Sequence, residues 1–239
     1  MFRFLLYRVP LVMPALMFVL KRVQFALLGF YKDPDDVALV RRVGREKRML
    51  LQPLEAYTIL SLARMQSQLP GDMAEVGMFQ GASAKLICTA KGEATFWGFD
   101  TFEGLSDVTD ADTYSGVSFF RSGQYAASQA DVEAYLAEFD NVRVVPGYFP
   151  ESYEQATEGA GAGESAARRF SFVHLDVDTH DSTLASLRYF WSRMTPGGVV
   201  LIHDSHADGV RKAIDTFSAE SAARSFSTTG SQHAYLADA

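Results

Sequence analysis

From Pro70 to the C-terminus, short uninterrupted apolar runs alternate with longer segments whose apolar positions recur at a helical period. Met73–Val76 reads as a strand, followed by a glycine-punctuated turn and a helix-compatible stretch through about Ala90. Thr95–Phe99 is a second strand that ends on Asp100, residues 131–139 a helix, Val142–Val145 a third strand, and Pro146-Gly147 the turn after it. Arg169–Leu175 is a buried-strand candidate ending on Asp176 and Asp178. Ser182–Met194 reads as a helix, Pro196-Gly197-Gly198 as a turn, Val199–Ile202 as a strand capped by His203-Asp204, and Gly209–Glu220 as a helix. Two weaker β-like pieces, near Phe226 and near Tyr235, complete the chain. This rhythm predicts an α/β fold: a doubly wound, mostly parallel sheet with helices on both faces.

Other segments break the rhythm. Residues 33–70 are helical, with Leu50, Leu51, Leu54, Tyr57, Leu60 and Leu62 apolar and Arg41, Arg42, Arg45, Lys47 and Arg48 upstream; this basic cluster is a solvated face or an extension of the N-terminal charge. Residues 101–130 show no period and carry Tyr114, Phe119, Phe120 and Tyr125. An irregular stretch just past a strand's C-terminal end reads as a mobile cover on a site. Residues 158–164, small and glycine-rich, read as a surface loop. In residues 1–30 the only charges are Arg3, Arg8, Lys21 and Arg22, and no acid precedes Asp33. The longest uncharged run, Val9–Leu20, is interrupted by Pro10 and Pro14 and falls short of the about 20 apolar residues that a bilayer span needs. No small-x-small cleavage site follows it. Two readings stay open: an interfacial segment on anionic lipid, making peripheral membrane contact, or a helix packed on its own domain or across the interface of a homo-oligomer. The organisation is therefore an N-terminal segment, 1–32, and a domain, 33–239, made of a helical lead-in, 33–70, and a core, 71–239.

Composition narrows the function. At 239 residues and 48% hydrophobic the chain can bury one α/β core. A net charge of −7 argues against a nucleic-acid-binding surface. The single cysteine, Cys88, leaves no intrachain disulfide and points to a reducing, cytoplasmic compartment.

Two constellations carry candidate chemistry. Gly77 and Gly81 let the backbone approach a ligand, and the helix after them offers free N–H groups; Asp100, 23 residues past Gly77, is placed to accept from a ribose diol. Together they suit a nucleotide-like cofactor, although Gly77-x-x-x-Gly81 is not the tighter G-x-G-x-x-G of dinucleotide dehydrogenases. The second is at the tips of two later strands, Asp176 and His203-Asp204, which a parallel sheet brings to one crevice, where they would form a divalent-metal site. Asp178 lies two residues past Asp176. His180 and His206 are candidate general bases, with surface placement as the ordinary alternative.

On these residues the chain resembles the class I S-adenosylmethionine-dependent methyltransferases, which have a Rossmann-like methyltransferase sheet, and within them the macrocin O-methyltransferase (TylF/MycF-like) family. The resemblance runs through Gly71–Gly81, Gly98-Phe99-Asp100-Thr101-Phe102-Glu103-Gly104-Leu105, Leu175-Asp176-Val177-Asp178 with Ser182-Thr183, and Pro196-Gly197-Gly198 to Asp204. It implies cofactor binding by Glu75, Gly77, Gly81 and Asp100, with Ser83 beside them, and a small hydroxylated acceptor such as a sugar. It also implies a divalent ion, Mg²⁺ or Mn²⁺, at the positions of Asp176, His203 and Asp204. The family's Asp-Asp pair here reads His203-Asp204, and its Tyr after Asp-x-Asp-x is His180; the metal site either shifts its preference towards Mn²⁺, Fe²⁺ or Zn²⁺ or is lost. A catalytically silent, membrane-associated binding protein on the same scaffold is the rival reading.

Overall fold

The structure, a computed structural model, describes residues 12–105, 108–114, 116–157, 168–221 and 223–238. Three helices lead in: α1 (Val12–Tyr31), α2 (Pro34–Glu46) and α3 (Pro53–Gln66). Then follow β1 (Asp72–Val76), α4 (Ala82–Ala90), β2 (Phe96–Asp100), α5 (Gln129–Leu136), β3 (Val142–Pro146), α6 (Glu151–Thr157), β4 (Phe170–Leu175), α7 (His180–Trp191), β5 (Met194–Ile202), α8 (Asp208–Ser221), β6 (Arg224–Ser227) and β7 (His233–Leu236). The seven strands form one sheet in the order β3-β2-β1-β4-β5-β7-β6. The first five are parallel, and β7 and β6 close the edge as an antiparallel pair. This is the predicted doubly wound α/β sheet.

Local chemistry sets the helix ends. Asp33 caps α2, its carboxylate accepting from the amides of Asp35 and Asp36, with Pro34 in the first turn. In α3 the Glu55 carboxylate reaches back to the Gln52 amide at 2.8 Å. Arg64 of α3 grips Asp36 of α2 through two bonds, at 2.5 and 2.7 Å, and so fixes the lead-in pair. Side chains alternate across the sheet into two cores. One holds Ala74, Val76, Phe99, Val173, Leu175 and Ile202 against α7 and α8; the other holds Met73, Phe96, Phe172, Val199 and Leu201 against α2, α3, α4 and α5.

Several sequence-based boundaries move. Pro196-Gly197-Gly198 lies inside β5 as an irregularity: Phe170 pairs with Met194 but Phe172 with Val199, because Pro196 has no N–H to donate and Gly197 takes φ +81°. Helix α7 starts at His180 rather than Ser182, and α5 ends at Leu136. Helix α6 was not expected; its seven residues are too few to show a period. Residues 101–128 are irregular apart from one Tyr114–Val117 bridge among the described residues. The glycine-rich segment 158–164 and residues 1–11 lie outside the described residues. Among the described residues no helix is long and apolar enough to cross a membrane.

Candidate active site

The C-terminal tips of β1, β2, β3, β4 and β5 converge on one cavity of about 390 Å³, the crevice where open α/β sheets place ligands. Val76, Gly77 and Phe79 line it from β1, Asp100 and Thr101 from β2, Gly147, Tyr148 and Phe149 from β3, Asp176–Thr179 from β4, and His203 and Asp204 from β5. The irregular segment after β2 covers it with Leu105, Tyr114, Phe119, Phe120 and Tyr125, and the lead-in adds Met17 and Leu50. Phe79, Asp178 and Asp204 all hold a left-handed backbone, with φ of 49°, 62° and 50°. The chain thus turns sharply after three strands, at a local cost that aspartate tolerates well and Phe79 does not.

At the cofactor end, Asp100 accepts from the Phe79 amide through Oδ2 and from the Phe102 amide through Oδ1, each at 2.7 Å. It straps the glycine loop to β2 and lines the cavity, and a carboxylate has lone pairs to spare for a ribose diol. Burial raises its pKa against the pull of those amides. Gly77, at φ +87°, is indispensable for a second reason: a Cβ there would lie 1.9 Å from the Asp176 carbonyl oxygen.

Three other residues expected at the cofactor lie behind the cavity. Glu75 is fully buried, held by His174 Nδ1 at 2.7 Å and by Ser83, with its carboxyl pushed up by burial. Ser83 is buried with it, and Gly81 packs on Val132 and Tyr135 of α5. They hold the loop rather than line the cavity.

At the other end Asp176, His203 and Asp204 come together as expected, one ligand atom of each lying within 4.8 Å of the others. His203 Nδ1 is 3.1 Å from Asp176 Oδ1 and 3.4 Å from Asp204 Oδ2. Its Nε2 faces Glu55 Oε2 at 3.3 Å and Ser231 Oγ at 3.2 Å. Burial would depress the pKa of the His203 ring, but the charges of Asp176 and Asp204 raise it well above the usual histidine range. Burial would likewise raise Glu55, yet His203 and the Ser231 and Gln52 amides hold it at about 2. The donor set fits a divalent ion: with Nε2–H donated to Glu55, the Nδ1 lone pair is left free beside the Asp176 and Asp204 carboxylates, as in a carboxylate-oriented histidine ligand.

The two candidate bases do not reach the cavity. His180 Nδ1 pairs with Asp181 at 2.6 Å, and His206 pairs with the hydroxyl of Tyr114, which is itself a lining residue. The remaining cavity carboxylate is Asp178, whose pKa burial and then Asp204 and Asp176 push well up. Glu55 was missed because an acid three residues past Gln52 reads as a helix cap, which it also is.

Comparison with known proteins identifies the family and the fold. The family model described as Macrocin-O-methyltransferase (TylF) matches residues 43–226. The 8-demethyl-8-(2,3-dimethoxy-alpha-L-rhamnosyl)-tetracenomycin-C 4'-O-methyltransferase of Streptomyces olivaceus is 27% identical over 212 residues, 79% of this chain and 76% of that protein. The mycinamicin III 3''-O-methyltransferase of Micromonospora griseorubida is 23% identical over 190 residues, 69% of this chain and 71% of the other. Two solved structures share the fold. The O-methyltransferase NovP superposes with a TM-score of 0.64 at 19% identity, over 80% of this chain and 82% of its own. TomG from Streptomyces achromogenes, solved in complex with SAM, superposes with 0.60 at 15% identity, over 93% and 99%.

Proposed function

Because the chain belongs to the macrocin-O-methyltransferase (TylF) family, we propose that it transfers the methyl group of S-adenosylmethionine to a hydroxyl of a sugar or small natural-product-like acceptor, at a divalent ion held by Asp176, His203 and Asp204. The observation that carries this reading is the sharing of one cavity by the Gly77–Asp100 strap and the Asp176–His203–Asp204 set. The relatives' names point to glycosylated natural products as acceptors. They also disfavour a catalytically silent binding protein.

Methyl transfer to a hydroxyl is an in-line displacement, so alignment is the main task of the residues. Asp100 receives the ribose hydroxyls, and Gly77 and Phe79 form the wall beside it. A divalent ion, when bound, would lower the acceptor hydroxyl's pKa and orient it. Asp178, the cavity carboxylate with no other assigned task, takes the acceptor's proton in place of His180 or His206. The aromatic cover of Tyr114, Phe119, Phe120 and Tyr125 excludes water from the reacting atoms. In this reading the enzyme works in the cytoplasm, and α1 makes peripheral membrane contact in preference to a subunit interface.

Methyl transfer from labelled S-adenosylmethionine to a panel of glycosylated acceptors tests the metal assignment. Excess chelator and Asp204→Ala should each abolish turnover, because one lost charge of three leaves too little to hold a hard cation. Full turnover under both conditions would leave a metal-independent transferase as the better account.

A further inference from the structure

Helix α1 is amphipathic in the wrong sense for a helix that serves only its own domain. The stripe that faces the protein is Met17, Lys21, Gln24 and Leu28, and its polar members are spent on the lead-in: Lys21 Nζ donates to the Met49 carbonyl, and Gln24 Oε1 accepts from the Leu54 amide. The outward face is Leu16, Phe18, Val19, Leu20, Val23, Leu27, Phe30 and Tyr31, broken by Arg22, and Phe30 is 90% exposed. An exposed apolar surface of this size marks a binding face.

Charge identifies what it binds. The first 48 residues hold ten of the chain's 22 Lys and Arg but four of its 29 Asp and Glu, which gives this segment +6 and the remainder −13. Arg41 of α2 bonds the Phe25 carbonyl and lies over the Phe25 ring, and Arg42, Arg45 and Arg48 are exposed on or just beyond the same helix. Cations flanking an outward apolar helix complement anionic lipid headgroups. A two-fold dimer through this face would instead bring two such basic segments together.

The site opens beside this helix. Met17 of α1 and Leu50, just past the basic cluster, line the cavity, and Leu50, Phe119 and Tyr148 leave exposed apolar surface at its rim. We propose that α1 lies in the surface of an anionic membrane with its outward face among the headgroups, and that the cavity opens onto that surface, so that the acceptor hydroxyl belongs to the headgroup of a bilayer-held amphiphile. The orientation of the opening rests on the reading of the cavity as a methyl-transfer site; the membrane contact stands without it.

The test uses the full chain and vesicles with roughly one anionic lipid in three. Co-sedimentation should be strong in about 0.05 M salt, fall at least tenfold in about 0.5 M, and be weak with purely zwitterionic vesicles. Leu27→Asp with Phe30→Asp, both on the exposed face, should lower binding at least tenfold and leave cofactor affinity unchanged. The indole of Leu50→Trp should be quenched by brominated lipid, and that of Glu93→Trp, just before the N-terminal end of β2, should not. Failure to bind anionic vesicles, binding unaffected by the double substitution, or a lipid-indifferent dimer sealed by α1 would overturn the membrane contact. Equal quenching at positions 50 and 93 would overturn the orientation. Cofactor calorimetry on the same samples reports separately on the methyl-transfer reading.

Discussion

His203 stands where the family resemblance expects an aspartate, and its surroundings show what that exchange entails. Glu55, its side chain almost fully buried, meets the far nitrogen of the ring, so an aspartate at 203 would face Glu55 as a second buried negative charge. His203→Asp alone is therefore expected to lower the thermal midpoint, whereas His203→Asp with Glu55→Gln recovers it and shifts metal preference towards Mg²⁺, since an all-oxygen site suits that ion. Calorimetric melting and metal titration of the four members of the cycle check this; additive effects of the two substitutions would refute the coupling. Glu55→Gln alone should weaken Mn²⁺ binding about 10- to 100-fold by loosening the ring's orientation, and a titration that shows unchanged affinity would count against it. This is also the residue-scale limit of the sequence. Asp176, His203 and Asp204 were legible because strand tips converge in any parallel sheet, but Glu55 and Ser231 come from a lead-in helix and an edge hairpin whose docking no local pattern encodes.

Among the elements, the glycine loop and the cover make the sharpest predictions. Gly77→Ala would drive a Cβ into the Asp176 carbonyl at 1.9 Å, forcing β1 and β4 apart at the site. It is expected to cost about 3 kcal/mol or more, read as a lowered urea midpoint, and a midpoint within experimental error of wild type would contradict the packing argument. The cover is clasped to α8 by Asp208, which accepts from Thr113 Oγ1 at 2.7 Å and from the Gly116 amide at 2.8 Å. Those bonds, with a smaller part from Arg211, lower the pKa of Asp208. A lowered acid contributes stability that is complete above the unfolded value of about 4 and is lost as pH falls through the folded value. Exchange of the Gly116 amide, corrected for its intrinsic rate, should therefore accelerate below about pH 4, and Asp208→Asn should accelerate it at neutral pH; protection unchanged in both would exclude the clasp. Residues 101–130 were readable as a cover from their lack of period and their position after a strand. The clasp was not, because an acid at a helix start reads as an ordinary favourable charge. The misplaced turn at Pro196–Gly198 has a similar origin: proline and glycine signal a break in the ladder, and a bulge supplies one without ending the strand.

The whole molecule couples an acidic α/β domain to a basic, apolar lead-in. The charge imbalance and the sheet class could be read from the chain directly, whereas the contribution of Met17 and Leu50 to the cavity wall arises only when α1 folds back over α3. Everything proposed for the site depends on the cavity accepting S-adenosylmethionine, so calorimetric titration of that cofactor into the purified chain is the decisive measurement. The account predicts saturable binding at one site per chain, weakened about 10- to 100-fold by Asp100→Ala, which removes the carboxylate facing the ribose together with the strap on Phe79 and Phe102. No measurable binding by the folded wild-type chain, or binding that Asp100→Ala leaves untouched, would contradict it.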